Sequence, residues 1–158
     1  ADDLAALKGE ARRLESAGVL TRDECATLDL EAVAAFWKSE PGRKIRTQKP
    51  DCLKRELPFT AKFSPAELDA IIGAKTPPGL KDEFVVVQGV ADLVALLPGE
   101  IWLVDFKTDE IKSEELTERR RLYEPQLKLY AKALSRIYSR PVTNCWLHFL
   151  TARKTINL

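Results

Sequence analysis

The sequence predicts a mixed α/β domain in which helices flank a β-sheet. Three observations support this prediction. Apolar residues recur at helical spacing in the first forty residues, strand-like segments joined by a short turn follow, and a long helical segment precedes another apolar strand. Helices followed by a β-hairpin, a helix and a returning strand favour a sheet with helices packed on it.

Three helices are predicted in the first forty residues. The first carries apolar residues three or four positions apart, namely Leu4, Leu7, Ala11 and Leu14. Thr21 and Glu24 form a capping box, so a second, short helix is expected to start directly after Thr21. A third helix is expected over Leu30–Lys38, with Pro41-Gly42 closing it.

A strand and a further helix are expected next. Residues 54–63 mix aromatic, polar and aliphatic side chains, and Pro58 confines this strand to an edge or a bulge because proline has no N–H to donate. Ser64-Pro65 starts a helix, since proline is favoured in a first helical turn. Residues 76–79, Thr-Pro-Pro-Gly, are expected to form a loop.

The second half of the chain contains the predicted hairpin. Residues 84–97 and 101–106 are expected to be its strands, joined by a turn at 98–100 with the sequence Pro-Gly-Glu. A long helix over about residues 117–138 follows, and residues 142–150 return as a strand. We find no internal repeat.

Composition restricts the function less than the motifs do. The chain has 158 residues, 45% of them hydrophobic, which suffices for one domain with a core. Its 25 basic and 24 acidic side chains give a net charge of +1, which neither indicates nor excludes a nucleic-acid partner.

The cysteines and the absence of targeting signals indicate an intracellular protein. Cys25, Cys52 and Cys145 are far apart and odd in number, so we expect free thiols in a reducing compartment and no iron–sulfur cluster. No apolar run approaches the about 20 residues that span a bilayer, and the first residues are acidic, unlike a signal peptide. We expect a cytoplasmic protein with no membrane partner.

Two carboxylates and a lysine stand out on the predicted hairpin. Asp92 lies on the first strand, and Asp105 and Lys107 lie on the second. Residues two apart on a strand project from the same face, and the short turn brings Asp92 alongside them. The three groups are therefore expected to converge at one point of the sheet.

These residue types suit a metal-dependent reaction on phosphate. Carboxylates in apolar strands are costly to bury unless they are paired or bind a metal. The oxygens of Asp92 and Asp105 and the backbone carbonyl of Phe106 are hard ligands suited to Mg²⁺ or Mn²⁺, and Lys107 is placed to orient a water or stabilise charge. One alternative stays open: a buried Asp105–Lys107 ion pair, with Asp92 capping a bulge.

Four segments in order resemble a known family. They are Arg-Glu-Leu-Pro-Phe at 55–59, Gly-Val-Ala-Asp-Leu-Val at 89–94, Leu-Val-Asp-Phe-Lys-Thr-Asp at 103–109, and Tyr-Glu-Pro-Gln-Leu-Lys-Leu-Tyr-Ala-Lys-Ala-Leu at 123–134. The chain resembles the nuclease domain of the RecB/AddA type, closest to AddA, in the PD-(D/E)XK superfamily. The likeness covers roughly residues 50 to 150, and the helical start is also AddA-like.

The resemblance implies a fold and a set of site residues. It implies a restriction-endonuclease-like mixed β-sheet flanked by helices, with a helical segment over residues 1–42 and the nuclease core over 43–158. It also implies that Asp92 and Asp105 bind Mg²⁺, for which Mn²⁺ can substitute, and that Lys107 is the catalytic lysine.

Three further residues are candidates for the same site. Gln126 and Tyr130 match the family's Gln-x-x-x-Tyr element and share one helix face, although the polar edge of an amphipathic helix would explain them too. Glu56 is either a further carboxylate of the site or a surface glutamate on an edge strand.

The chain departs from the family at one position. The family usually has a metal-binding histidine on an N-terminal helix, whereas the one histidine here is His148, among Trp, Leu and Phe on the last predicted strand, where a structural role is favoured. We therefore expect this chain to lack one metal ligand, and to bind metal and cleave weakly. The absence of an initiating methionine and the abrupt end indicate a domain excised from the C-terminus of a longer helicase–nuclease.

Basic residues are the candidates for DNA contact, through sequence-independent binding of phosphates. For each of them a solvated surface position is an equal alternative. The candidates are Lys54, Arg55, Arg119 and Arg120, with Arg43, Lys44, Arg46, Lys49 and Arg121 as further possibilities. Residues 109–118 are expected to form a loop at the rim of the cleft.

The leading functional hypothesis is a metal-dependent DNA exonuclease. The resemblance implies that it acts on single-stranded ends unwound by ATP-dependent helicase domains of the same polypeptide, with a second helicase–nuclease subunit of the AddB type, in recombinational double-strand break repair. Two alternatives remain: a catalytically silent DNA-binding or docking domain of the same fold, and a stand-alone PD-(D/E)XK exonuclease.

Overall fold

The computed structural model describes residues 3–73, 83–110 and 113–158. The loop predicted over residues 76–79 lies outside these ranges. Four helices precede the sheet, namely α1 (Leu4–Ser16), α2 (Arg22–Thr27), α3 (Leu30–Lys38) and α4 (Glu40–Arg46). In the part of the chain that is described, no helix has both the length and the apolar composition needed to cross a bilayer.

Local capping signals set most of these helix boundaries. The Thr21–Glu24 capping box is present and starts α2 as predicted. The expectation that Pro41-Gly42 closes α3 was wrong, because Ser39 ends α3 and its side chain caps α4, which contains both residues. Proline is tolerated there, since the first helical N–H groups have no intrahelical partner. The helical segment therefore continues past residue 42 to Arg46.

The sheet has five strands in the order β1-β2-β3-β4-β5. The β3–β4 pair is parallel and the other pairs are antiparallel. The strands are β1 (Leu53–Phe63), β2 (Val85–Leu96), β3 (Ile101–Lys107), β4 (Val142–Phe149) and β5 (Lys154–Asn157). The prediction that Pro58 lies on an edge strand is confirmed, because β1 is at one edge of the sheet.

Two further helices connect the strands. Helix α5 (Pro65–Ile72) follows β1 and begins with a capping box between Ser64 and Glu67. Helix α6 (Leu116–Tyr138) follows a short 3-10 turn at Ser113–Glu115 and joins β3 to β4. A parallel strand pair needs such a crossover, and α6 provides it.

Helices cover both faces of the sheet. Residues of α5 and α6, including Leu68 and Leu134, pack on one face around Phe63 and Leu103. Residues of α3 and α4 pack on the opposite face, in a cluster that contains Phe36, Ile45, Leu93, Val104 and Trp146. The predicted mixed α/β domain with a helix-flanked sheet is confirmed.

Candidate active site

Three carboxylates lie in one row across β1, β2 and β3. Glu56 of β1 and Asp92 of β2 lie opposite each other, because the residue pairs on either side of them are in register. The pairing of β2 with β3 stops one residue short of Asp92, and the same register continued by one residue sets Asp92 against Asp105. The row therefore lies where β2 and β3 begin to separate.

Strands β1 and β2 change faces at this row. On β1, Arg55 lines a cavity beside α3 and α4, whereas Leu57 packs on the α6 side. On β2, Leu93 packs on the α3 side and Ala91 on the α6 side. Residues two apart on a regular strand share a face, so both strands turn over here. Glu56, with a φ of 48°, is the left-handed residue at this point of β1.

Asp105 and Lys107 form a buried ion pair. Asp105 is 4% exposed, and the Lys107 Nζ lies 2.8 Å from its Oδ2. The expectation that these two side chains share a face of the sheet is confirmed. Burial raises the pKa of Asp105; the Lys107 ammonium opposes this shift, and the negative charge of Asp92 adds to it.

The Asp105 carboxylate has bonding capacity that the protein does not use. The approach of Lys107 is close enough for an ion pair but lacks hydrogen-bond alignment, and Oδ2 is a buried oxygen without a hydrogen-bond partner in the described residues. A buried acceptor left in this state costs free energy unless another group satisfies it. A hard cation is such a group.

Asp92 is tied to the backbone beside Asp105. Its Oδ2 accepts a hydrogen bond of 2.7 Å from the backbone N–H of Phe106. This bond leaves the second Asp92 oxygen and the carbonyl side of that strand for other ligands. It is also the contact expected if Asp92 only caps an irregular strand end, so by itself it does not separate the two interpretations.

The donor set fits an ion that keeps part of its water shell. Within the described ranges, no three His, Cys, Asp or Glu side chains are gathered closely enough to hold a metal by themselves. Mg²⁺ is usually bound by one or two carboxylates and retains several waters. Asp92 and Asp105, the second with its partnerless oxygen, therefore fit Mg²⁺ better than an ion that needs a full protein cage.

The Lys107 ammonium continues into a polar chain on α6. It donates a hydrogen bond of 3.4 Å to the Gln126 Oε1, and the Gln126 Nε2 donates one of 3.2 Å to the Tyr130 hydroxyl. The Tyr130 ring packs edge-on against Phe59 at 4.8 Å between centroids. It also closes on Gly89, where a Cβ would lie 3.0 Å from the ring. Gln126 and Tyr130 therefore reach the Asp105–Lys107 pair.

A second aromatic residue, which the sequence patterns did not single out, meets the same lysine. The Lys107 Nζ lies 4.6 Å from the centroid of the Tyr123 ring, and the Tyr123 hydroxyl donates to the Asp109 Oδ2. The signal in the sequence was the three-residue spacing from Tyr123 to Gln126, which places both on one face of α6.

A cavity of about 490 Å³ lies next to the carboxylate row. Arg55, Glu56 and Asp92 line one part of it, and side chains of α3, including Phe36 and Trp37, line another. Its surface is mainly apolar except for these three charged residues, so the carboxylates are accessible from this side.

The predicted DNA-contacting residues fall into two groups. Lys54 and Arg55 are exposed on β1, and Arg55 shares the cavity with Glu56 and Asp92. Arg119 lies 3.8 Å from Asp109, and Arg120 lies 3.6 Å from Glu124. The structure therefore places Arg55 next to the carboxylate row, whereas Arg119 and Arg120 are paired with carboxylates of their own region.

His148 lies in the interior on β4. Its Nδ1 is 2.8 Å from the Thr155 Oγ1, and its ring meets Phe36 and Phe106 edge-on. Burial lowers the pKa of His148 to about 4, so the ring is neutral at pH 7. This position agrees with the structural role favoured from the sequence.

Residues 5–155 match the family model of the PD-(D/E)XK nuclease superfamily. The chain belongs to this superfamily. The match includes all three carboxylates of the row, Lys107 and the polar positions of α6, so the site lies inside the family domain. The restriction-endonuclease-like fold expected from the resemblance is confirmed.

Curated relatives are named as subunits of ATP-dependent helicase/nucleases. The chain is 33% identical to the relative of Listeria monocytogenes serotype 4b (strain F2365) over 83% of its length, and 30% identical to that of Bacillus mycoides (strain KBAB4) over 96%. It is 27% identical to that of Thermoanaerobacter sp. (strain X514) over 92%. The chain covers 10%, 12% and 11% of these relatives, respectively. The expected resemblance to AddA-type helicase–nucleases is confirmed.

Proposed function

We propose that this chain is a nuclease domain that hydrolyses phosphodiester bonds of DNA with the help of a divalent metal. One observation carries the proposal. A buried carboxylate oxygen of Asp105 without a hydrogen-bond partner lies beside the Lys107–Gln126–Tyr130 chain, within a domain of the PD-(D/E)XK superfamily.

Mg²⁺ is the proposed ion, with Mn²⁺ as a substitute. Asp92, Asp105 and the backbone carbonyl of Phe106 are the proposed ligands, and Glu56 is a further carboxylate opposite Asp92 in the row. When bound, such an ion neutralises charge on a phosphate and makes a water more acidic.

Lys107 is the proposed catalytic lysine. Its ammonium is held between the Asp105 carboxylate and the Gln126 amide oxygen, so its position is fixed before substrate arrives. An ammonium held in this way stabilises charge that develops on phosphate oxygens and requires no reorganisation during the reaction. Gln126 and Tyr130 act by holding Lys107 in place.

DNA binding is proposed to run through the phosphates. Arg55, beside the carboxylate row, and its exposed neighbour Lys54 would contact the strand nearest the site. Arg119 and Arg120 would join after exchanging their carboxylate partners for phosphate. Such contacts are independent of base sequence and weaken with salt.

The wider role follows from the relatives. Their name joins a helicase and a nuclease in one polypeptide, and this chain spans about a tenth of their length. We extend the proposal to an exonuclease on single-stranded ends delivered by ATP-dependent helicase domains of the same polypeptide. A role in recombinational break repair and a second subunit of the AddB type belong to the same proposal.

A cleavage assay tests the nuclease proposal. End-labelled single-stranded DNA is incubated with Mg²⁺ or Mn²⁺ and either the natural full-length polypeptide or the 158-residue chain. Lys107→Ala should lower the rate by about 10²- to 10³-fold, the scale of losing a preorganised charge-stabilising group. Lys132→Ala is the matched control, because Lys132 is an exposed lysine on the same helix as Gln126.

The assay also decides against the silent alternative or for it. If Lys107→Ala cuts as fast as the unchanged protein, Lys107 is not catalytic and the proposed site is wrong. If DNA is bound but cut by neither protein, even at full length, the chain is the catalytically silent DNA-binding domain of this fold.

A further inference from the structure

Tyr123 and Asp109 form a second polar group next to the Asp105–Lys107 pair, separate from the Gln126–Tyr130 chain. Tyr123 lies on α6 three residues before Gln126, and Asp109 follows β3 two residues after Lys107. We propose that Tyr123, fixed by Asp109, is a positioning residue that holds the Lys107 ammonium against its ring face. This inference rests on the proposed function, because Lys107 is its target.

The contacts around the lysine account for its donors. A lysine ammonium has three N–H groups and no acceptor. The Asp105 carboxylate at 2.8 Å, the Gln126 oxygen at 3.4 Å and the Tyr123 ring at 4.6 Å from its centroid surround the Lys107 Nζ. Since the lysine side chain is only 17% exposed, the ring face takes a position that water would otherwise fill.

The Tyr123 ring is fixed at both ends. Its hydroxyl donates to the Asp109 Oδ2, and its ring packs against Phe149 at 6.2 Å between centroids. Arg119 lies 3.8 Å from the same Asp109 oxygen and steadies that carboxylate from α6. The Asp109 hydrogen bond raises the pKa of Tyr123, so the phenol stays protonated and remains a donor.

The proposed effect on catalysis concerns orientation. With only Asp105 as partner, the ammonium would be free to turn toward that carboxylate and away from a substrate phosphate. The ring face draws the charge toward α6 on the opposite side, so the ammonium is held between two partners. Loss of the ring should therefore lower kcat and leave KM for DNA nearly unchanged.

The first test is a double-mutant cycle on kcat. Tyr123→Leu should lower kcat by about 2- to 30-fold, the range that corresponds to a cation–π contact. In a Lys107→Ala background the same change should have no further effect, because the group that it positions is gone. Tyr123→Phe keeps the ring and should retain most of the activity. Tyr138→Leu, the same substitution at a core position of α6, is the control for general destabilisation.

The second test does not depend on activity. In protein labelled at lysine, the Lys107 ε-methylene signal, identified by its absence in Lys107→Ala, should lie upfield because of the Tyr123 ring current. Tyr123→Leu should move it downfield, and Tyr138→Leu should leave it in place.

The two tests separate failure of the positioning role from failure of the proposed function. Equal losses of kcat from Tyr123→Leu in both backgrounds, or an unmoved methylene signal, would overturn the positioning role. If the unchanged protein cuts no DNA, the proposed function fails, and the methylene signal still decides whether Tyr123 holds Lys107.

Discussion

Asp105 and His148 are the two fully buried polar side chains among the described residues, and their surroundings differ. They lie on the neighbouring strands β3 and β4, and their side chains enter opposite faces of the sheet. Asp105 meets an ammonium that continues into polar groups of α6. His148 meets aromatic rings and one threonine hydroxyl.

The contrast shows that burial of a polar group does not by itself indicate a site. His148 avoids the cost of burial by staying neutral, since burial lowers its pKa to about 4. Asp105 keeps a cationic partner although burial raises its pKa. An acid kept next to a fixed cation costs stability that an apolar pair would not, and a function of that cation is a reason to keep both.

The largest expected effect separates activity from stability at Asp105. Asp105→Asn should abolish cleavage, with a loss above about 10²-fold, because a proposed metal ligand is removed. Its free energy of unfolding should be unchanged or higher, since a raised pKa means that the site already favours a neutral group. Single-turnover cleavage and urea unfolding measure the two effects.

His148→Gln provides the opposite case. It should lower the free energy of unfolding by about 1–3 kcal/mol, as expected for a repacked buried ring, and change cleavage per folded molecule very little. If His148→Gln instead abolished cleavage while Asp105→Asn did not, the assignment of the two residues would be reversed.

The pH dependence of stability should also distinguish the two residues. An unfolded histidine titrates near pH 6.5 and the folded one near 4, so the unfolded chain binds more protons between these values. Stability from His148 is therefore full above pH 6.5 and is lost as pH falls toward 4, by roughly 3 kcal/mol. Asp105 acts in the opposite sense: its contribution is present below its unfolded pKa and is lost as pH rises through its raised folded pKa.

Urea unfolding at steps between pH 7 and pH 4 measures this dependence. His148→Gln should flatten the loss across that window. A loss of the same size in His148→Gln would assign it to other groups and remove His148 from the comparison.

A smaller effect is expected at the hydroxyl that satisfies the histidine. Thr155→Val removes the partner of the His148 Nδ1 and should cost about 1–2 kcal/mol of unfolding free energy, because a buried nitrogen loses its hydrogen bond. Cleavage should not change. Thr60→Val, on an exposed strand position, is the control and should be close to neutral.

The smallest effect is expected at the backbone of Glu56. Glycine adopts a positive φ without the penalty of other residues, so Glu56→Gly should raise the free energy of unfolding by about 1 kcal/mol relative to Glu56→Ala. Equal stabilities of the two variants would show that no strain resides at this position of the carboxylate row.

Much of the fold was predictable because its signals are local. The capping boxes at Thr21 and Ser64 set helix starts within three residues of sequence, and the turn between β2 and β3 follows from Pro98-Gly99-Glu100. Pro41 misled the prediction, because a proline that ends one helix and a proline in the first turn of the next look alike until Ser39 is seen to cap α4.

Strand periodicity in the sequence was enough to put Asp105 and Lys107 on one face, since it requires no other part of the chain. Helical spacing likewise put Gln126 and Tyr130 on one side of α6. Tertiary packing was needed to establish that this side meets Lys107, that Tyr123 joins it, and that Asp92 accepts from the Phe106 N–H. These contacts join elements distant in sequence, and the packing of α6 across β3 and β4, which no local pattern specifies, brings most of them together.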